Sequence, residues 1–84
     1  MNSKHRKTLE AIFTDPVRPD IKWADIEALF IACGGLIEEG RGSRVCVDMN
    51  GHFAHFHRPH PQPDTDKGAV KSVRRFLESV GVRP

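Results

Sequence analysis

Apolar residues recur with a helical period in the first third of this chain. They predict a helix over residues 4–14, whose apolar stripe consists of Leu9, Ile12 and Phe13. Asp15-Pro16 and Arg18-Pro19 end this helix, because the residue before a proline is disfavoured in helical geometry. An extended connector over residues 15–22 is therefore expected to follow.

A second helical pattern runs from Trp23 to Cys33. Its apolar positions are Trp23, Ile26, Leu29, Phe30 and Cys33. Gly34-Gly35 stops the helix, since one of the two glycines can adopt the left-handed conformation of a C-terminal cap. This helix is expected to form part of the core.

After these glycines the apolar period changes to two, which predicts β-strands. Leu36 and Ile37 open a short first strand, and the next two strands are expected at Arg44–Asp48 and His52–His57. Gly40-Arg41-Gly42 forms the turn between the first two strands. Asn50-Gly51 joins the last two, and this dipeptide favours a hairpin because both central residues of the turn need positive φ.

A two-residue turn also fixes which residues of the hairpin are opposite one another. Arg44 is predicted to pair with His57, and Cys46 with His55. The side chains expected in the core are Val45, Val47, Ala54 and Phe56. The opposite surface, called the open face below, carries Arg44, Cys46, His55 and His57.

A third helix is predicted after Pro59 and Pro61, which end the last strand. Thr65 or Asp64 is expected to cap it, with Asp66 near its positive N-terminus. Its buried stripe consists of Val70, Val73, Leu77 and Val80, and Gly81 ends it.

The neighbouring surface of this third helix carries four cations at positions i, i+4, i+7 and i+8, called the basic row below. They are Lys67, Lys71, Arg74 and Arg75. A row of Lys and Arg can contact an RNA phosphate backbone, and Gly68 in the first turn lets a phosphate approach the backbone closely. The alternative is an ordinary solvated helix surface.

The predicted elements define an α+β fold. Its order is an extra N-terminal helix followed by α-β-β-β-α, with a three-stranded antiparallel sheet and helices packed on one face. Residues 1–22 are assigned to the N-terminal helix and connector, and residues 23–84 to the main domain. The N-terminal helix can pack on this domain, mediate dimerisation or extend an RNA-binding surface, and the sequence leaves these three roles open.

The two halves of the 84-residue chain differ in charge, and the formal net charge of the whole chain is +2. Residues 1–40 hold five Lys or Arg and seven Asp or Glu, whereas residues 41–84 hold eight and four. The basic C-terminal half is typical of a nucleic-acid-binding surface. The absence of an apolar membrane-spanning run, a secretory signal and a CxxC motif favours a cytoplasmic protein with two reduced cysteines.

The histidines are candidates for proton transfer or for metal binding. His52, His55, His57 and His60 could act as metal ligands with Cys46, but a single nearby cysteine makes a four-ligand structural zinc site unfavourable, and no metal is assigned. Cys46 opposite His55 could also act as a nucleophile, although a strand cysteine between two valines is more typical of packing.

Several short motifs occur in an order that is similar to the HicA family of bacterial toxin–antitoxin pairs. They are Gly42-Ser43, Pro59-His60-Pro61, Lys67-Gly68 and the helix of Val70, Val73 and Leu77 that ends at Gly81. The similarity covers about Trp23 to Val82. It implies a double-stranded-RNA-binding-domain-like fold, endonuclease activity on mRNA without the ribosome or a cofactor, and a HicB-like antitoxin partner.

The family's catalytic histidine directly follows the Gly-Ser pair, and this position is Arg44 here. We infer that His57, on the opposite strand, replaces that histidine, with His60 as the second proton-transfer group and Arg44 contacting phosphate. The alternative is a non-catalytic RNA- or protein-binding module on the same scaffold, in which these histidines only contact RNA or the antitoxin.

Overall fold

The computed structural model describes residues 1–84 as three helices and three strands, in the order α1-α2-β1-β2-β3-α3. The helices are α1 (Ser3–Ile12), α2 (Trp23–Ala32) and α3 (Lys67–Ser79). The strands are β1 (Leu36–Glu39), β2 (Arg44–Met49) and β3 (His52–His57). The predicted α+β fold with an extra N-terminal helix is confirmed, and none of the helices is long and apolar enough to cross a bilayer.

The sheet is antiparallel, and its strands lie in the order β1-β2-β3. Asn50 and Gly51 have φ values of 53° and 82°, so both central residues of the turn adopt the positive φ that a tight hairpin requires. The predicted register is confirmed along the whole hairpin, including the Arg44–His57 and Cys46–His55 pairs. The predicted division into a core face and an open face follows from it.

An aromatic cluster joins the helices to the sheet. The Phe30 ring of α2 lies 5.8 Å from Phe56 of β3 and 5.9 Å from Phe76 of α3, measured between centroids. Trp23 lies 5.6 Å from Phe56. The predicted buried stripe of α3 lacked Phe76, which is buried, whereas Val80 is only half-buried. A phenylalanine directly after Arg74-Arg75 belongs to the same apolar surface because it lies three residues after Val73.

The cap of α3 differs from the prediction. Asp66 caps the helix, and its carboxylate accepts a hydrogen bond from the Ala69 N–H at 2.8 Å. The two residues predicted to cap are used by the connector: Asp64 binds Lys22 Nζ at 2.8 Å, and the Thr65 N–H donates to the Ile21 carbonyl at 2.8 Å. Because of these contacts, the cap of α3 lies one or two residues later in the chain than predicted.

The N-terminal helix packs on the rest of the domain. Leu9 and Ile12 of α1 are buried within the same hydrophobic cluster as the side chains of α2, α3 and the sheet. Arg74 of α3 closes the end of α1, because its Nε donates to the Ile12 carbonyl at 2.9 Å and its Nη2 to the Thr14 carbonyl at 3.0 Å. A cation at a helix C-terminus also interacts favourably with the helix dipole.

If α1 is an integral part of the core, truncating its buried side chain will destabilise the whole domain. We expect Ile12→Ala to lower the free energy of unfolding by about 2–5 kcal/mol, since it leaves a cavity at a fully buried position. Urea unfolding followed by circular dichroism measures this. The control is Glu10→Ala on the exposed side of α1, for which we expect a change within about 0.5 kcal/mol. Equal effects of the two variants would contradict an integral α1.

Candidate functional site

The Arg44–His57 pair lies at the end of the open face, where β2 begins and β3 finishes. Both side chains are exposed. The next pair along the strands, Ser43 and Arg58, is hydrogen-bonded: the backbone N–H of Arg58 donates to the Ser43 carbonyl at 2.8 Å. Because hydrogen-bonded and non-hydrogen-bonded pairs alternate in an antiparallel ladder, Arg44 and His57 form a non-hydrogen-bonded pair, whose side chains approach most closely.

A shallow depression of about 520 Å³ lies just past this pair and is called the strand-end depression below. It is lined by Gly42, Ser43, Arg58, Pro59 and His60. The turn before β2 and the segment after β3 therefore meet at one place on the surface, although they are distant in sequence. Gly42 has a φ of 60°, and the N–H groups of Gly42 and Ser43 donate to no acceptor in the chain. Free N–H groups beside an imidazole can receive an anion.

The three residues predicted to be catalytic are thus divided between two adjoining surfaces. His57 and Arg44 lie side by side on the open face, as the register requires. His60 lines the strand-end depression, which neither of the other two lines. One step along the strands, about 3.3 Å, separates the Arg44–His57 pair from the pair that borders the depression.

Arg58 connects this end of the sheet to the helix layer through ion pairs. Its Nε and Nη2 donate to the Glu27 carboxylate of α2 at 2.7 and 3.0 Å. Its Nη1 and Nη2 donate to the Glu39 carboxylate of β1 at 2.5 and 2.8 Å. The Glu27 oxygen that accepts from Nε also accepts from the Trp23 indole N–H. One guanidinium therefore holds α2, β1 and the segment that carries His60 in fixed relative positions.

The two carboxylates also change the electrostatics of the depression. Hydrogen bonds from Arg58 to Glu27 and then to Glu39 raise the pKa of the guanidinium further above its usual value. The hydrogen bond from Arg58 to Glu39 also lowers the pKa of the Glu39 carboxyl group. Because two negative charges face this one cation, Arg58 contributes no uncompensated positive charge to the depression. It positions the site rather than attracting an anion to it.

Sequence reasoning missed this role of Arg58, although a signal was available. Residues alternate between the two faces of a strand, so Arg58 follows Phe56 onto the side that faces the helices. A cation directed toward a helix layer needs a carboxylate partner. The pattern did not identify which carboxylate, because Glu27 and Glu39 are far from Arg58 in sequence.

The basic row contains three exposed cations rather than four. Lys67, Lys71 and Arg75 are exposed on α3, and none of them forms an ion pair within the chain. Arg74 points toward α1 instead, where it binds Asp15 Oδ1 at 3.1 Å in addition to the two carbonyls, and its side chain is only 18% exposed. The three remaining cations are spaced by four residues and still form a continuous stripe.

Gly68 lies in the first turn of α3, next to the basic row. The Lys67 and Gly68 N–H groups donate to no acceptor in the chain, as is usual at a helix N-terminus. A Cβ added at Gly68 would approach the Asp66 carboxylate to 3.3 Å. The Asp66 carboxylate therefore stands close to the position at which a phosphate would reach this turn, and it opposes anion binding there.

The histidines do not gather around a metal-binding position. Nowhere in the chain do three or more His, Cys, Asp or Glu side chains form a group that could hold a metal ion. Cys46 has His55 directly across from it on β3, and both cysteines are free thiols. Neither cysteine lines the strand-end depression.

No protein-family model, curated protein or solved structure matches this chain.

The Arg58–Glu39 contact predicts a specific response to acid. The folded-state pKa of Glu39 is lowered, so its contribution to stability is fully present above the ordinary value of 4.5 and is lost as the pH falls through the folded-state pKa. We expect Glu39→Gln to be less stable than the wild type near neutral pH and the difference to shrink below pH 4.5. Thermal unfolding at a series of pH values measures this.

The matched control is Glu38→Gln, which removes the neighbouring carboxylate from the open face and forms no contact with Arg58. We expect its stability difference from the wild type to depend little on pH. A Glu39→Gln difference that stays constant through this range would show that the contact does not stabilise the fold.

Proposed function

We propose that this chain is an RNA-binding toxin of the HicA type that cleaves mRNA in the cytoplasm without a metal ion and is neutralised by a HicB-like antitoxin. One observation carries the proposal. Gly42-Ser43 and Pro59-His60, two separate motifs of the resemblance, line the same depression, and the Arg44–His57 pair lies one step away from it.

The exposed groups supply the functions that metal-free RNA cleavage requires. A base must take the proton from the 2′-OH as its oxygen attacks the phosphorus, and an acid must give a proton to the leaving 5′-oxygen. We assign His57 as the base and His60 as the acid. The products are a 2′,3′-cyclic phosphate and a 5′-OH, so the atoms balance without water or a cofactor.

Arg44 and the turn N–H groups supply charge stabilisation. The phosphate gains negative charge in the transition state, and preorganised donors that face this charge lower the barrier. Arg44 has no carboxylate partner within the chain, so its guanidinium is available to a phosphate oxygen. The free N–H groups of Gly42 and Ser43 belong to residues that line the adjoining strand-end depression. An RNA strand that crosses this end contacts both surfaces.

The basic row gives the RNA a second contact region. Lys67, Lys71 and Arg75 present three unpaired positive charges at regular spacing along α3. Such a row recognises the backbone by charge and shape and carries no base specificity. We therefore assign binding to α3 and cleavage to the end of the β2–β3 ladder.

The alternative is a non-catalytic RNA- or protein-binding module on the same scaffold. Arg44, which stands where the resemblance places a catalytic histidine, favours this alternative. Such a module binds RNA with the same salt dependence but leaves it intact.

Removal of the proposed base separates the two functions. We expect His57→Ala to reduce the rate of RNA cleavage by about 10²–10⁴-fold while RNA affinity changes little. Cleavage of a labelled mRNA in the presence of EDTA measures this, with filter binding on the same samples. His52→Ala is the matched control, since His52 is an exposed histidine of the same strand that pairs with Met49 far from the site. Intact RNA with the wild-type protein supports the non-catalytic module instead.

An exchange variant tests whether the imidazole is needed at this strand pair in particular. Arg44→His with His57→Arg keeps the same two side chains and moves the imidazole to the opposite strand. We expect it to recover part of the activity that His57→Ala loses, because the two positions are directly opposite. An exchange variant as inactive as His57→Ala would contradict the proposed replacement of one histidine by the other.

The basic row is tested by its salt dependence. We expect Lys67→Ala/Lys71→Ala/Arg75→Ala to weaken RNA binding and to lower the slope of log affinity against log salt by about 0.7–0.9 for each phosphate that the variant no longer neutralises. Lys4→Ala/Arg6→Ala/Lys7→Ala on α1 removes the same charge from another exposed surface. Equal weakening in both triple variants would show that net charge, rather than the α3 surface, determines binding.

A further inference from the structure

The outer edge of β3 carries unpaired backbone groups. The hairpin turn makes Met49–His52 the first hydrogen-bonded pair, and alternate pairs along the ladder follow it. The β2–β3 bonds therefore involve His52, Ala54 and Phe56. The N–H and C=O groups of Phe53, His55 and His57 point away from β2, and they find no partner elsewhere in the chain.

Protein sheets usually protect such an edge, and β1 at the other side of this sheet is protected. It is only four residues long, it carries Glu38 and Glu39, and Arg58 binds Glu39. Short strands and charged side chains discourage pairing with another chain. β3 has none of these features: it is six residues long, its register has no bulge, and it contains no Lys, Arg, Asp, Glu or Pro.

We propose that β3 pairs with β3 of a second copy of this chain, so that two antiparallel three-stranded sheets form one continuous sheet. The N–H and C=O groups of Phe53, His55 and His57 that point away from β2 determine both the partner and the register. In a symmetric antiparallel pair, every outward residue must lie opposite an outward residue of the other copy. Only the register with His55 opposite the second copy's His55 lets Phe53, His55 and His57 all exchange hydrogen bonds.

The side chains are compatible with this register. In this register, Phe53 of one copy lies on the open face opposite His57 of the second copy. It is therefore next to the Arg44–His57 pair of that second copy. Phe53 is 66% exposed in the single chain, and pairing covers part of this apolar surface. Each copy therefore contributes an aromatic ring beside the other copy's His57. An edge pairing adds backbone hydrogen bonds but little apolar area, so we expect a reversible dimer.

The oligomeric state provides the first test, and it does not depend on the RNA chemistry. We expect sedimentation equilibrium of the wild-type protein to show a monomer–dimer equilibrium at micromolar concentrations, and Phe53→Lys to be monomeric because Lys on an edge opposes pairing. The matched control is Leu36→Lys, since Leu36 is 65% exposed on the open face but lies in β1. We expect it to dimerise like the wild type. Loss of the dimer in both variants points to pairing through the open face and overturns the proposal, as does a wild-type protein that is monomeric throughout.

The register is tested by disulfide crosslinking. In a Cys33→Ser/Cys46→Ser background, we expect His55→Cys to form an intermolecular disulfide, since its Cα would lie about 5.5 Å from that of the second copy. We expect His57→Cys to form none, because the two copies of residue 57 lie far apart in this register. A crosslink at residue 57 and none at residue 55 overturns the register.

Amide hydrogen exchange of the unmodified protein avoids any dependence on the folding of variants. We expect the Phe53, His55 and His57 amides to exchange more slowly as the protein concentration rises, while the exposed Asn50 and Gly51 turn stays unchanged. Exchange of these three amides that is independent of concentration, in a sample that sediments as a dimer, assigns the interface to another surface and overturns the proposal.

Discussion

The two-residue turn at Asn50-Gly51 is the local constraint on which the arrangement of the sheet depends. Its two positive φ values determine which residues of β2 and β3 are opposite, and this register then determines the face on which each side chain lies. A shift of one residue would break the Arg44–His57 pair and, with Val45 still in the core, would put Phe56 in solvent and His57 in the core. The core, the proposed catalytic pair and the free edge of β3 are therefore three results of one turn.

Local chemistry explains which parts of this structure the sequence predicted correctly. The hairpin, its register, the three strands and the helix order all depend on residues that are near neighbours in the chain, and all are confirmed. The α3 cap was predicted incorrectly because Asp64 and Thr65 are held by the connector, which lies far away in sequence. The partners of Arg58 and Arg74 are equally distant, so no local pattern identified them.

These two arginines also show why a charge count is a poor guide to the binding surface. Arg58 faces two carboxylates, and Arg74 is bound to the end of α1, so both are used within the fold. The positive charge available to a partner comes from exposed cations that form no ion pair, among them Arg44 and the three exposed cations of α3. Its location, rather than the net charge of +2, is what supports RNA as the ligand.

The hydrogen bond between Trp23 and Glu27 makes the fluorescence of Trp23 sensitive to the contacts of the Glu27 carboxylate. Trp23 is the only tryptophan, and its indole N–H donates to the same carboxylate oxygen that binds Arg58. Indole emission depends on the charges and hydrogen bonds around the ring. A ligand in the strand-end depression that draws Arg58 away from Glu27 will therefore change the fluorescence of the protein, without any label being attached.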